Sequence, residues 1–147
     1  MIERLGPMLD RADVILHAGD ITHTAVLDAL AAHAPVHAVL GNNDLGVDLP
    51  ERLVLGLDGC EVAMVHDSGS STGRATRLRR WFPTADAVVF GHSHIPWHEA
   101  HTDEAGHLQH HVTPGSAIQR RSQPHCTVAW LELGDGAVRS VEHVVVA

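Results

Sequence analysis

The chain has 147 residues, of which 44% are hydrophobic and 19% charged, a composition that supports a folded domain with a real core and excludes a disordered chain. Its ten basic residues are all arginines and its formal net charge is -8, which argues against broad electrostatic binding to nucleic acid or to anionic lipid. No apolar run approaches the ~18 residues of a membrane span, and no basic-then-apolar leader opens the sequence, so the expected location is cytoplasmic.

Residues 1–11 carry Ile2, Leu5, Met8 and Leu9 at helical spacing, interrupted by Gly6-Pro7. Residues 14–18 read as a short buried strand. Thr22 or Thr24 can cap a helix reaching about Ala32, with Val26, Leu27 and Leu30 on one face, and Pro35 opens the next strand at 36–40. After a loop at Asn42, residues 52–57 and 60–65 read as a hairpin around Asp58-Gly59. Residues 74–82 read as a basic helix stopped by Pro83, and 87–90 as a further buried strand. Arg74, Arg77, Arg79 and Arg80 on that helix, and Arg120-Arg121 further on, read as solvated, with phosphate contact the alternative. Beyond His94 the pattern becomes antiparallel, with strands at 97–102, 107–113, 127–133 and 138–146 and turns at 103–106 and 134–136. There is no linker or internal repeat, so residues 1–147 are expected to form a single domain. Cys60 and Cys126 lack the paired spacing of metal or redox motifs and read as reduced packing residues.

Four of the apolar runs stop at turn-forming or metal-ligand residues: Gly19-Asp20, Gly41-Asn42-Asn43-Asp44, His66-Asp67 and Gly91-His92-Ser93-His94. Strand ends in open α/β sheets converge on the crevice that binds ligands, so these side chains are expected to surround one point. His17 reads as packing or support behind them. His98, His101, His107, His110 and His111 read as a solvated polar face of a hairpin.

With Thr113-Pro114-Gly115-Ser116 and the Ile95-Pro96 that follows His94, these segments occur in an order that resembles the calcineurin-like metallophosphoesterases, in the small bacterial and archaeal branch related to the Vps29 sorting subunit. The resemblance covers nearly the whole chain. It implies an α/β fold, a metallophosphoesterase-type two-sheet β-sandwich with flanking helices. It also implies that Asp20 bridges two metals, that Asn42, His66 and His92 complete the second site, and that His94 serves the first. A bridging carboxylate, a neutral amide oxygen and imidazoles suit manganese, with iron, zinc or nickel as alternatives, over calcium. Two such ions about 3.5–4 Å apart would share the attacking hydroxide. The implied reaction is hydrolysis of phosphodiesters or activated phosphomonoesters without a covalent enzyme intermediate. The catalytic set is Asp20, Asn42, Asp44, His66, His92 and His94, with Asp44 either orienting a ligand or water or stabilising its turn. The partner is a small phosphate ester, with no membrane or nucleic acid expected and a homo-oligomer left open.

Three departures from the family pattern shape these expectations. The family's opening strand ends in Asp-x-His, and nothing upstream of Asp20 matches it, so the domain is expected to lack the usual first strand as if N-terminally truncated. Two ions are then expected only where the missing ligands are supplied, and the strand's neighbours would be left with unpaired backbone groups. Asn43 stands where many members have a histidine, and an amide cannot protonate a leaving group near neutral pH. Asp67 and Thr113 replace a glycine and an asparagine; Asp67 bears on charge beside the metal, and Thr113 is expected to keep only the backbone role of its turn. The alternative reading is a catalytically weak or inactive scaffold that binds a protein partner.

Overall fold

The computed structural model of the chain describes residues 2–20, 24–41, 48–117 and 125–146. Thr22, Asn42, Asn43, Asp44, Arg120 and Arg121 lie outside the described residues. The elements are α1 (Ile2–Leu9), β1 (Ile15–His17), α2 (Thr24–Ala31), β2 (Val36–Ala38), β3 (Arg52–Leu57), β4 (Cys60–Val65), α3 (Arg74–Trp81), β5 (Ala87–Phe90), β6 (Pro96–Thr102), β7 (Leu108–Pro114), β8 (Thr127–Gly134) and β9 (Ala137–Val145). α1 runs through Gly6-Pro7, where the proline forfeits one backbone bond, and buries Leu5. No helix among the described residues is long and apolar enough to cross a membrane.

The main sheet has five strands in the order β3-β4-β5-β7-β6. Its outer pairs are antiparallel, and β4, β5 and β7 run parallel. The Asp58-Gly59 turn has φ of 50° and 79°, the double positive φ that a tight hairpin needs and that Asp-Gly accepts at low cost. β4 and β5 are apolar almost throughout because both of their faces are covered. Ala63, Val65, Val88 and Phe90 meet Leu78 of α3 and Phe82 on one face. Val62, Met64, Ala87 and Val89 meet Leu16, Ala18, Val39, Leu131, Leu133 and Val138 on the other.

That second contact makes the fold a two-layer α/β sandwich with flanking helices. Among the described residues the second layer is divided into the parallel pair β1-β2 and the hairpin β8-β9. β1 and β2 are three residues each and only partly buried, not covered on both faces as their apolar sequences suggest. One side of the pair meets the core, through Leu16, Ala18 and Val39. Cys60 and Cys126 are buried free thiols.

The histidines of β6 and β7 divide: His98 is exposed and His101 and His110 are partly so, as a solvated face requires, but His111 is buried. β7 is flanked on both sides in the sheet, so Gln109 and His111 are enclosed, at 0% and 1% exposure. Gln109 donates through Nε2 to the carbonyls of Phe82 (2.8 Å) and Ala85 (3.0 Å), which turns its Oε1 to accept from His111 Nε2 at 2.8 Å. His111 is thereby held as the Nε2–H tautomer, and its buried Nδ1 has no hydrogen-bond partner among the described residues. His107 spans Asp86 (3.0 Å) and Arg79 (3.0 Å), and Arg79 donates to the carbonyl of His101 at 2.8 Å, pinning the β6-β7 turn to α3. His98 and His110 stack with ring planes 11° apart.

Burial, reinforced by His101, Arg79, Arg74 and His110, lowers the His111 pKa to about 4. Below the unfolded value near 6.5 the unfolded chain gains a proton that the folded protein refuses, so stability falls with pH until about pH 4. Each unit costs up to about 1.4 kcal/mol. Urea unfolding at pH 7 and pH 4.5 should therefore show His111→Leu losing about 2 kcal/mol less than the wild type over that interval. Equal losses would mean that His111 titrates freely inside the fold.

Candidate metal centre

β1, β4 and β5 end side by side, and the residues just beyond them interlock. Ala18, after β1, offers its carbonyl to His66 Nδ1, after β4, at 2.7 Å. Gly91, after β5, donates its N–H to the carbonyl of His66 at 2.9 Å. Two glycines make the approach possible. A Cβ on Gly19, whose φ is +106°, would lie 2.5 Å from His66 Nδ1. A Cβ on Gly41, beyond β2, would run into the backbone nitrogen of Asp20 and within 2.6 Å of its Oδ1. His17 supports the same turn by accepting from Gly19 N–H at 3.3 Å.

A carbonyl oxygen only accepts, so His66 Nδ1 carries the proton, and Nε2 of the neutral ring presents its lone pair. Nε2 is buried and makes no hydrogen bond among the described residues. It lies 3.4 Å from Asp20 Oδ2, with the two side chains 6% and 18% exposed. That distance admits an ion pair with a doubly protonated ring, yet the geometry is not that of a hydrogen bond. In the neutral ring, a lone pair and a carboxylate oxygen face each other in a largely enclosed place, which is unfavourable unless a cation joins them. A histidine whose second nitrogen is fixed by a backbone carbonyl is also how metal-binding imidazoles are usually oriented. Asp20 and His66 therefore fit a divalent cation.

His92 packs edge-on against His66, with ring centroids 5.3 Å apart. His94 lies half-buried in the same loop, which is shaped by the Ser93 N–H bond to Gly91 O (2.9 Å) and the Ile95 N–H bond to Ser93 Oγ (3.2 Å). Asp20, His92 and His94 have φ of 59°, 70° and 60°; the other described non-glycine residues with positive φ are Asp58 and Asp135, in the two hairpin turns. A left-handed backbone costs such residues roughly 1–2 kcal/mol, and strain of this kind concentrates at functional sites. No three His, Cys, Asp or Glu side chains among the described residues close on one point at ligand distance. The structure thus gathers Asp20 and His66 with His92 beside them, while the expected ligand Asn42 and the expected orienting residue Asp44 fall outside the described residues.

Two substituted positions make contacts that their sequence reading did not include. Asp67 accepts from Gly69 N–H at 2.8 Å and so closes a turn. Thr113 does more than continue the backbone: its hydroxyl bonds to the carbonyl of Ile95, and its own carbonyl accepts from His143 Nε2 at 2.7 Å. It ties the loop carrying His94 to β7 and β9. Sequence had no signal for this, because both partners are distant in the chain.

Comparison with known proteins gives a consistent picture. The family model described as the calcineurin-like phosphoesterase superfamily domain matches residues 2–136. A probable metallophosphoesterase of Methanothermobacter thermautotrophicus is 33% identical over 89 residues, 58% of this chain and 52% of that protein. The chain spans about half the length of the curated relatives it matches. Among solved structures, a novel archaeal phosphodiesterase superposes with a TM-score of 0.74 at 15% identity, covering 98% of this chain and 90% of its own. Wild-type Vps29 of Entamoeba histolytica complexed with zinc gives 0.70 at 21% identity, covering 99% and 88%. At these identities the superpositions show the fold.

The close approach of the glycines to Asp20 and His66 is open to test. Gly19→Ala and Gly41→Ala should each lower stability by more than about 1 kcal/mol in thermal melts with chelator present, whereas Gly56→Ala, which meets nothing within 4 Å, should stay within about 0.5 kcal/mol. A Gly41→Ala protein as stable as Gly56→Ala would contradict the packing described.

Proposed function

The chain belongs to the calcineurin-like phosphoesterase superfamily, and from that membership we propose that it is a metal-dependent phosphoesterase acting on phosphodiesters or activated phosphomonoesters. The observation that carries this reading is the buried lone pair of His66 Nε2 facing the Asp20 carboxylate at 3.4 Å. Asp20 and His66 are the proposed core of the cation site, with His92, His94 and Asn42 completing it and Asp44 orienting a ligand or water. A divalent cation held there supplies Lewis acidity to a phosphoryl oxygen and lowers the pKa of water. Manganese is the proposed ion; zinc is supported by the Vps29 neighbour that was crystallised with it.

What the chain's own groups contribute is orientation and exclusion. The Ala18 carbonyl fixes the His66 tautomer, so the ring enters the site with its lone pair forward. The low exposure of Asp20 and His66 reduces screening between charges there. Asn43, in place of a histidine, supplies no proton to a departing oxygen. Esters with good leaving groups are therefore the proposed substrates, small ones in the cytoplasm of the cell.

A second reading is a scaffold of the same fold that binds a protein partner. It is supported by the structural likeness to Vps29 and by Asn43, which cannot serve as a proton donor to a leaving group. Hydrolysis separates the two. With manganese, the wild type should cleave bis(p-nitrophenyl) phosphate, and Asp20→Ala and His66→Ala should each lose more than the roughly 10–100-fold expected for loss of a supporting partner. Alkyl esters should be cleaved far more slowly than nitrophenyl esters, since no proton donor assists them. Full turnover in both variants, or turnover unaffected by chelator, would remove the metal-dependent reading.

A further inference from the structure

Beside the loop that carries His92 and His94, α3 and the start of β6 enclose a cleft of about 360 Å³ lined by Ser71, Gly73, Arg74, Thr76, Trp97 and Glu99. Two short stretches of chain connect its lining to the metal centre: Phe90, whose ring lies against Arg74, immediately precedes Gly91-His92, and Trp97 follows His94 by three residues.

Arg74 is the unusual group here. Its guanidinium carbon sits 5.1 Å from the centre of the Phe90 ring and 5.3 Å from that of Trp97. The Nε atom is buried without a hydrogen-bond partner among the described residues. Glu99, the carboxylate in the cleft, is engaged by His101 Nε2 at 2.9 Å. Two aromatic faces attract a cation and hold its plane, but π faces do not satisfy an in-plane donor such as Nε. Partly buried donors of this kind are normally satisfied, and a guanidinium fork matches phosphate and carboxylate oxygens in pairs.

The loop that leads into the cleft at Ser71 and Gly73 is tied down. Arg77 donates to the carbonyls of Ser68 (2.7 Å) and Ser70 and reaches that of Thr72 at 3.5 Å, so one side chain gathers the loop between β4 and α3. Gly69, with φ +80°, lets this loop close over Arg77, since a Cβ there would lie 2.9 Å from the guanidinium. Ser71 at the end of that loop and Thr76 on α3 also line the cleft. On a chain of net charge -8, an anion needs such local compensation to bind.

We propose that this cleft is an anion subsite in which Arg74, held against Phe90 and Trp97, binds a phosphate or carboxylate on the part of the substrate that is not cleaved. The preferred substrates are then phosphate esters with a second negative charge. The substrate half of this inference rests on the phosphoesterase reading; the anion site itself does not.

The test uses the full chain in two conditions. Without metal and with chelator, inorganic phosphate is titrated while the Trp97 indole N–H resonance is followed in the wild type, Arg74→Gln, Arg74→Lys and the exposed control Arg80→Gln. Phosphate should shift Trp97 in the wild type and in Arg80→Gln, with affinity at least about tenfold weaker in Arg74→Gln and intermediate in Arg74→Lys. With manganese, KM is compared for bis(p-nitrophenyl) phosphate and for a p-nitrophenyl diester bearing a terminal phosphate. Arg74→Gln should raise KM for the second ester at least about tenfold more than for the first. Phosphate bound through Arg74 with neither ester cleaved would support the anion site and remove only the hydrolytic reading. No phosphate binding by the wild type, or binding unchanged in Arg74→Gln, overturns the proposal.

Discussion

One hydrogen bond joins the two layers of the fold and prepares its chemistry: the 2.7 Å contact between the Ala18 carbonyl and His66 Nδ1. It links the end of β1 in one layer to the end of β4 in the other. By placing the proton on Nδ1 it leaves Nε2 as an acceptor aimed at Asp20. Of the glycines that look like turn punctuation in the sequence, Gly19 makes room for the His66 ring and Gly41 for Asp20. Gly19 and Gly41 bring bare backbone within a distance that any side chain would block. Asp20, His92 and His94, beside this contact in the same cluster of strand ends, have positive φ. Strain is held locally by a scaffold whose stability comes from elsewhere, namely the doubly covered strands β4 and β5.

The molecule also shows how a histidine's role follows from its second nitrogen. His66 and His111 are both buried, and both have one ring nitrogen fixed and the other without a hydrogen bond among the described residues. His111 points its fixed nitrogen at a glutamine in the core, and its low pKa makes it a neutral structural residue. His66 lies at a strand end beside a carboxylate, where a free lone pair is useful. Residue type alone does not separate them; the position along the strand does.

The strands and hairpins were readable because their signals are local. Asp58-Gly59 and Asp135-Gly136 demand positive φ at both positions, which few other pairs accept, and the apolar runs of β4 and β5 can be stable only if covered on both faces. The gathering of Asp20, His66 and His92 at strand ends was readable for a related reason, since each follows an apolar run directly or after one glycine. What sequence missed depends on distant backbone carbonyls. Gln109 and His111 look solvated until Phe82 and Ala85 are seen to receive the amide. Arg77 and Arg79 look like a surface stripe until the loops they gather are known, and Thr113 looks like a spacer until Ile95 is known. β1 and β2 were read as fully buried because their composition does not reveal that one face meets the core.

Charge ties these features together. For an acidic chain to handle phosphate as proposed, the charge must be neutralised at the point of contact, and the proposed means are a cation held between Asp20 and His66 and the guanidinium of Arg74. The first of these is decisive, and elemental analysis of the purified chain, reconstituted with manganese and dialysed, reads it directly. A cation joining Asp20 to His66 predicts at least about one ion per chain, lost in His66→Ala. A wild-type chain that retains no metal would contradict it, and the facing lone pair and carboxylate would then need another explanation.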